Sequence, residues 1–147
     1  TARSSTMPFG NFEYPFNIPH LAATCGATYV ARWTSLHIRR LTKSFSEALH
    51  RKGFRLIEVV TPCATLYSRL NRLGSGLDLM RFYHDNAEIR HGADTRDLEI
   101  GFQDRIVCGK FIDEERPTFL EMKDQHYTEV LGDRYMPMAG EGGWLHD

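Results

Sequence analysis

Residues 27–60, "ATYVARWTSLHIRRLTKSFSEALHRKGFRLIEVV", constrain the fold more than any other stretch of this chain. "ATYVARW" and "FRLIEVV" are short runs of apolar, β-branched and aromatic residues, the composition of strands. Between them Ile38, Leu41, Phe45, Ala48 and Leu49 recur at helical spacing, while Arg39, Arg40, Lys43 and Glu47 fall largely off that stripe. Gly53 stands where a left-handed residue closes such a helix. A strand, an amphipathic helix and a second strand make a right-handed crossover, which places two parallel strands under one helix. "FRLIEVV" is apolar on both faces apart from Arg55 and Glu58, so it is expected to be an inner strand of a parallel sheet covered by helices. The fold class is α/β.

The flanking segments extend this pattern. Asn17 and Gly26 bound a short helix over "IPHLAAT"; "LDLMRFYHDNAEIRHG" reads as a helix and "RIVCGKFID" as a strand. "PTFLEMKDQHYTEVLG" opens with Thr118 and Glu121 at capping-box spacing and stops at Gly132. Residues 92–104 are polar and turn-rich. The opening "TARSSTMPFGNFEYPFN" carries Pro8, Gly10 and Pro15 among aromatics, which predicts an ordered loop that packs against another surface. It lacks a leading methionine and reads as the middle of a protein. Residues 1–132 form the folded unit, and residues 133–147 are expected to be a tail that is flexible or docks through Trp144.

A chain of 147 residues suffices for one core. A net charge of −1 with mixed signs supplies no field for steering nucleic acid or an anionic membrane. No apolar run approaches the ~20 residues of a membrane span. Three widely spaced cysteines make no disulfide framework, so a reducing, cytoplasmic setting is expected.

Motifs with their own chemistry are absent: no dinucleotide or phosphate-binding glycine loop, no nucleophile elbow and no paired zinc ligands. His84, Asp85, His91 and Asp94 lie near one another in sequence, a pattern that a solvated polar loop explains as well as a site does. Cys63 stands out by position. It follows a strand directly, behind Thr61 and Pro62, and in α/β sheets functional residues gather where the chain leaves the carboxyl ends of strands. From the residues alone, a packed structural thiol, a nucleophile and a metal ligand all remain open. Arg69 and Arg72 supply a cation only where their loop folds back. Cys25, at a helix end, and Cys108, within a strand, read as structural.

The segment from "MPFGNFEYPFN" through "GATYVAR", "KGFRLIEVVTPC" and "RLNR" resembles the carboxyl half of the β subunit of 2-oxoacid:ferredoxin oxidoreductases, with "RHGADTRD" and "GKFIDEERPTF" extending the likeness to about residue 120. Within that family the chain is most similar to the 2-oxoglutarate type. The resemblance implies part of a thiamine diphosphate-binding domain whose amino-terminal half is absent. It implies oxidative decarboxylation of 2-oxoglutarate to succinyl-CoA with reduction of ferredoxin, in company with an α subunit. Pyruvate or another 2-oxoacid is the alternative substrate, and a non-catalytic partner that keeps the half-domain fold is the alternative role. Thiamine diphosphate, Mg2+ and a [4Fe–4S] cluster are the implied cofactors, all requiring residues outside this chain. The family's diphosphate and magnesium motif precedes the loop with which the chain begins, so no catalytic or thiamine-binding residue is assigned, and Ser4, Ser5 and Thr6 receive no contact. Cys63 alone is implied as a metal ligand, the fourth thiolate of the cluster. The chain by itself is expected to be inactive, and its first strand is expected to border the sheet edge left open by the missing half.

Overall fold

A computed structural model describes residues 2–137. The opening residues form a turn-rich loop, closed on itself by the Asn11 amide donating to the Ala2 carbonyl at 2.7 Å. It leads into helix α1 (Ile18–Thr24), where the Asn17 side chain accepts from the His20 amide at 3.1 Å. Strand β1 (Tyr29–Thr34), helix α2 (Ile38–His50) and strand β2 (Arg55–Val60) follow as the crossover expected from the sequence. Gly53 has φ +87, but it lies beyond the Arg51 cap and turns the chain into β2 rather than closing the helix. Helices α3 (Tyr67–Asn71) and α4 (Gly76–Asn86) come next, then strand β3 (Ala87–Ile89), a 3-10 turn (Thr95–Asp97) and strand β4 (Ile106–Asp113). The segment "LDLMRFYHDNAEIRHG" thus divides, with its "AEI" pairing as β3 instead of continuing the helix. Helix α5 (Phe119–Leu131) opens on the capping box of Thr118 and Glu121 and ends at Gly132, as the sequence predicts. The expected Trp144 contact lies outside the described residues.

Among the described residues the sheet has the order β2-β1-β4-β3. The α/β class holds, but the sheet is mixed rather than parallel: β1 pairs β2 and β3 pairs β4 in parallel, whereas β1 and β4 are antiparallel. That antiparallel insertion reverses the two strand expectations. β1 is central and buried along its whole length, while β2 is an edge strand, half-exposed. Hydrophobicity ranked them the other way because the less apolar strand satisfies its polar groups internally. The Arg32 guanidinium on β1 meets Glu58 of β2 and donates to the Leu98 carbonyl at 2.6 Å.

One face of the sheet carries Tyr29, Ala31, Trp33, Ile106 and Cys108, covered by Ala48 of α2 and Tyr83 of α4. The other carries Val30, Val107 and Phe111 against Ala22 of α1 and Leu98. Ser44 rather than an apolar residue seats α2, accepting from Trp33 Nε1 at 2.7 Å. The stripe that defined α2 is therefore split: Leu41 and Ala48 face the sheet, whereas Ile38, Phe45 and Leu49 are exposed. Phe9, Phe12, Tyr14 and Phe16 of the opening loop are exposed too. The described residues supply no cover for these aromatics.

Gly109 has a steric reason to be glycine. Its φ is +147, and a Cβ there would sit 2.7 Å from the Arg90 carbonyl oxygen, a main-chain atom that cannot rotate away. Gly109→Ala is expected to lower unfolding stability by about 2 kcal/mol, read as a shifted urea midpoint at unchanged slope. An unchanged midpoint would show that β4 and the Arg90 turn separate at little cost.

Candidate functional site

The site begins where β2 ends. Beyond Val60 the chain runs through Thr61 and Pro62 to Cys63 and re-enters helix at Tyr67. The Cys63 carbonyl accepts from both the amide and the hydroxyl of buried Ser68, at 3.1 and 2.9 Å. These two hydrogen bonds to one carbonyl fix the loop's shape. Cys63 is exposed. The amides of Tyr67 and Leu66 and the Thr65 hydroxyl, whose oxygen is 3.8 Å from Sγ, hold the thiol down from its ordinary 9.0 to about 7. Hydrogen bonds to the charged form favour it, here the thiolate, which is the metal-binding and nucleophilic form.

Cys63 opens onto a cavity of about 340 Å³ whose walls include Val60, Tyr67, Phe82, Tyr83, Ile100 and Ile106. Leu79, Phe82 and Tyr83 reach it from one face of α4, at the i, i+3, i+4 spacing that was legible in the sequence but not used. Burial raises the pKa of both Tyr67 and Tyr83, so the phenols stay neutral beside the thiol. Tyr67, Ile100 and Gly101 also line a second cavity of about 350 Å³, bounded by Ala2, Asn11, Glu13 and Pro15 of the opening loop. Asn71 binds that loop to the Cys63 segment: its side chain accepts from the Arg3 amide at 2.6 Å and donates to the Arg3 carbonyl at 2.9 Å. Cys63 and the opening loop therefore share one end of the sheet, with Tyr67 between them.

Other sequence candidates do not assemble. His84 pairs with Asp85 at 2.9 Å, His91 Nδ1 accepts the Lys110 amide at 3.1 Å, and Asp94 is taken up by Arg96. No group of three or more His, Cys, Asp or Glu able to hold a metal exists among the described residues. Arg69 lies on α3 and Arg72 caps it in the left-handed region at φ 54; both are exposed, and neither lines the Cys63 cavity. The thiol is held down by amides rather than by guanidinium charge. Cys108 is buried in β4, and burial pushes its thiol up to about 11. Cys25 caps α1 at the opposite face. Cys63 thus fits a single position in a thiolate donor set, and the remaining ligands of any cluster must come from elsewhere. No helix among the described residues is long and apolar enough to cross a membrane.

In sequence and in fold the chain is similar to subunits of 2-oxoacid:ferredoxin oxidoreductases. More particularly it is similar to 2-oxoglutarate synthase subunit KorB. It is 36% identical to that of Methanocaldococcus jannaschii over 120 residues, 81% of this chain and 44% of the relative. With that of Methanothermobacter marburgensis it shares 37% over 126 residues, 86% of this chain and 43% of the relative. The fold matches a solved 2-oxoglutarate:ferredoxin oxidoreductase from Magnetococcus marinus, with 2-oxoglutarate, coenzyme A and succinyl-CoA bound, at a TM-score of 0.64 and 21% identity, over 88% of this chain and 44% of that one. The chain spans less than half the length of the curated relatives it matches. No family model matches it.

Proposed function

We propose that the chain is part of the β subunit of a thiamine diphosphate- and iron–sulfur-dependent 2-oxoglutarate:ferredoxin oxidoreductase. The enzyme would convert 2-oxoglutarate and coenzyme A into succinyl-CoA and carbon dioxide and pass the two electrons to ferredoxin. The observation that carries this reading is Cys63, an exposed thiol held at about 7 in a chain 36% identical to a 2-oxoglutarate synthase subunit. A [4Fe–4S] cluster takes four thiolates and moves single electrons, and Cys63 supplies one of the four. The Tyr67 and Leu66 amides and the Thr65 hydroxyl stabilise negative charge on that sulfur, and such bonds raise the potential of a cluster. Phe82 and Tyr83 keep one side of the site apolar. The opening loop, tied to the same end of the sheet by Asn71, would lie near the thiamine site of the complete subunit. Thiamine diphosphate and Mg2+ take their ligands from residues outside this chain, as do the other three cluster positions.

The test is turnover of the assembled enzyme, this chain together with the remainder of the β subunit and the α subunit, against a panel of 2-oxoacids with ferredoxin as acceptor. A kcat/KM for 2-oxoglutarate well above those for pyruvate and branched-chain 2-oxoacids is expected. Preference for pyruvate would move the substrate. An iron-loaded assembly that reduces ferredoxin with none of them would make the chain a structural partner.

A further inference from the structure

Away from Cys63, the face of the sheet that carries Trp33 holds an open cleft of about 420 Å³ between α2 and the start of the β3–β4 connection. Its walls are Arg40, Lys43, Ser44 and Glu47 from α2, Lys110 from β4, and His91, with Trp33 as the floor. His91 Nδ1 accepts the Lys110 amide at 3.1 Å, which leaves Nε2 as the ring nitrogen available to donate. Glu47 is the one carboxylate in the lining, and its charge is already engaged. It accepts from the Tyr29 hydroxyl at 3.0 Å and from Lys110 at 3.2 Å; burial alone would raise its pKa, but these bonds outweigh that and hold it below the usual range. Lys110 also reaches Asp113 at 2.6 Å.

The other two cations are different. Among the described residues Arg40 makes no ion pair and rests over the Trp33 ring at 5.9 Å. Lys43 approaches only Glu47, at 3.7 Å. Arg40, Lys43 and His91 therefore line a concave surface whose single carboxylate, Glu47, is bonded mainly by Tyr29 and Lys110 and is reached by Lys43 only at 3.7 Å. A guanidinium with five fixed donors beside an ammonium suits an anion with several oxygens, and a phosphate group is the common small species of that kind. Trp33 is 2% exposed, so its ring is closed to stacking, and recognition rests on charge and hydrogen bonding.

We propose that this cleft binds the phosphate group of a small phosphorylated molecule, through Arg40, Lys43 and His91. The site is separate from the Cys63 cavity, and the inference does not depend on the activity proposed above. Free pyrophosphate and a nucleotide share the recognised chemistry, so both serve as probes. In calorimetric titrations of the assembled β-subunit complex at constant ionic strength, pyrophosphate and ADP are expected to show a saturable site. Arg40→Gln and Lys43→Gln should each weaken that site by at least about 10-fold, since each removes a charge-assisted bond. Both side chains are exposed, so the variants are expected to fold. Equal weakening for the two probes places recognition on phosphate alone, whereas tighter binding of ADP adds the nucleoside. Titrations identical in wild type and both variants, or heats reproduced by KCl at the same ionic strength, would overturn the proposal.

Discussion

Cys63→Ser in the assembled enzyme is expected to strip iron from the cluster or shift its potential and to slow ferredoxin reduction by at least the ~10-fold that even outer-shell partners of a metal are worth. Thiamine diphosphate binding should survive if Cys63 acts only as the proposed cluster ligand. Cys25→Ser, at an exposed cap, is expected to be near neutral, whereas Cys108→Ser places a hydroxyl in a buried strand and should act through stability, in the range of about 0.5–3 kcal/mol. A second readout does not require the cluster. Alkylation of cluster-free protein should rise with pH through a midpoint near 7 at Cys63, as thiolate forms, while Cys108, pushed up to about 11 and buried, stays unlabelled in folded protein. Equal loss of iron in all three variants, or none in Cys63→Ser, would return Cys63 to a packing role.

The second large effect is expected at Arg32. Its side chain is 1% exposed and that of its partner Glu58 17%, so Arg32→Leu leaves a mostly buried carboxylate unpaired and takes a donor from the Leu98 carbonyl. Breaking such a pair from one side costs about 3–5 kcal/mol, and the partial exposure of Glu58 places the expectation near the lower end. Ile100, Gly101, Gln103 and Asp104, which wall the Cys63 cavity, lie within six residues of Leu98, so the loss should also speed alkylation of Cys63. Arg32→Leu combined with Glu58→Leu should recover part of the stability by removing both charges. Urea unfolding of the single and double variants measures this. A loss below 1 kcal/mol in Arg32→Leu would show that water reaches the pair.

Local signals in the sequence carried most of the elements. The periodicity of α2, the Asn17 cap and the Thr118 capping box each appear where the residues place them, because each depends on contacts within a few positions. Strand order was not legible. Whether β1 or β2 is central depends on where β4 inserts, and that is decided by pairings between residues about 80 apart, such as Ala31 with Lys110. The site was legible as a position, Cys63 beyond a strand end, but its surroundings were not. Tyr67, Phe82 and Tyr83 meet only after α3 and α4 fold back over the sheet, and the charge that seemed to belong to Arg69 and Arg72 is replaced by backbone amides. Of His84, Asp85, His91 and Asp94, close in sequence, the first two pair with each other, while His91 turns to Lys110 and Asp94 to Arg96.

The edge strand β2 has a consequence in symmetry. Among the described residues no strand pairs with its outer side, which lies beside exposed Phe45, Leu49 and Val59. Two copies meeting there about a twofold axis must run their β2 strands in opposite directions, since that operation reverses a strand lying perpendicular to it. The bond to β1 on the inner side is parallel. A homodimeric seam would therefore give a continuous sheet that changes direction at its midpoint, whereas a strand from another part of a longer polypeptide is free to extend β2 in either sense. The hand of the pairing at this edge distinguishes self-association from completion of the domain.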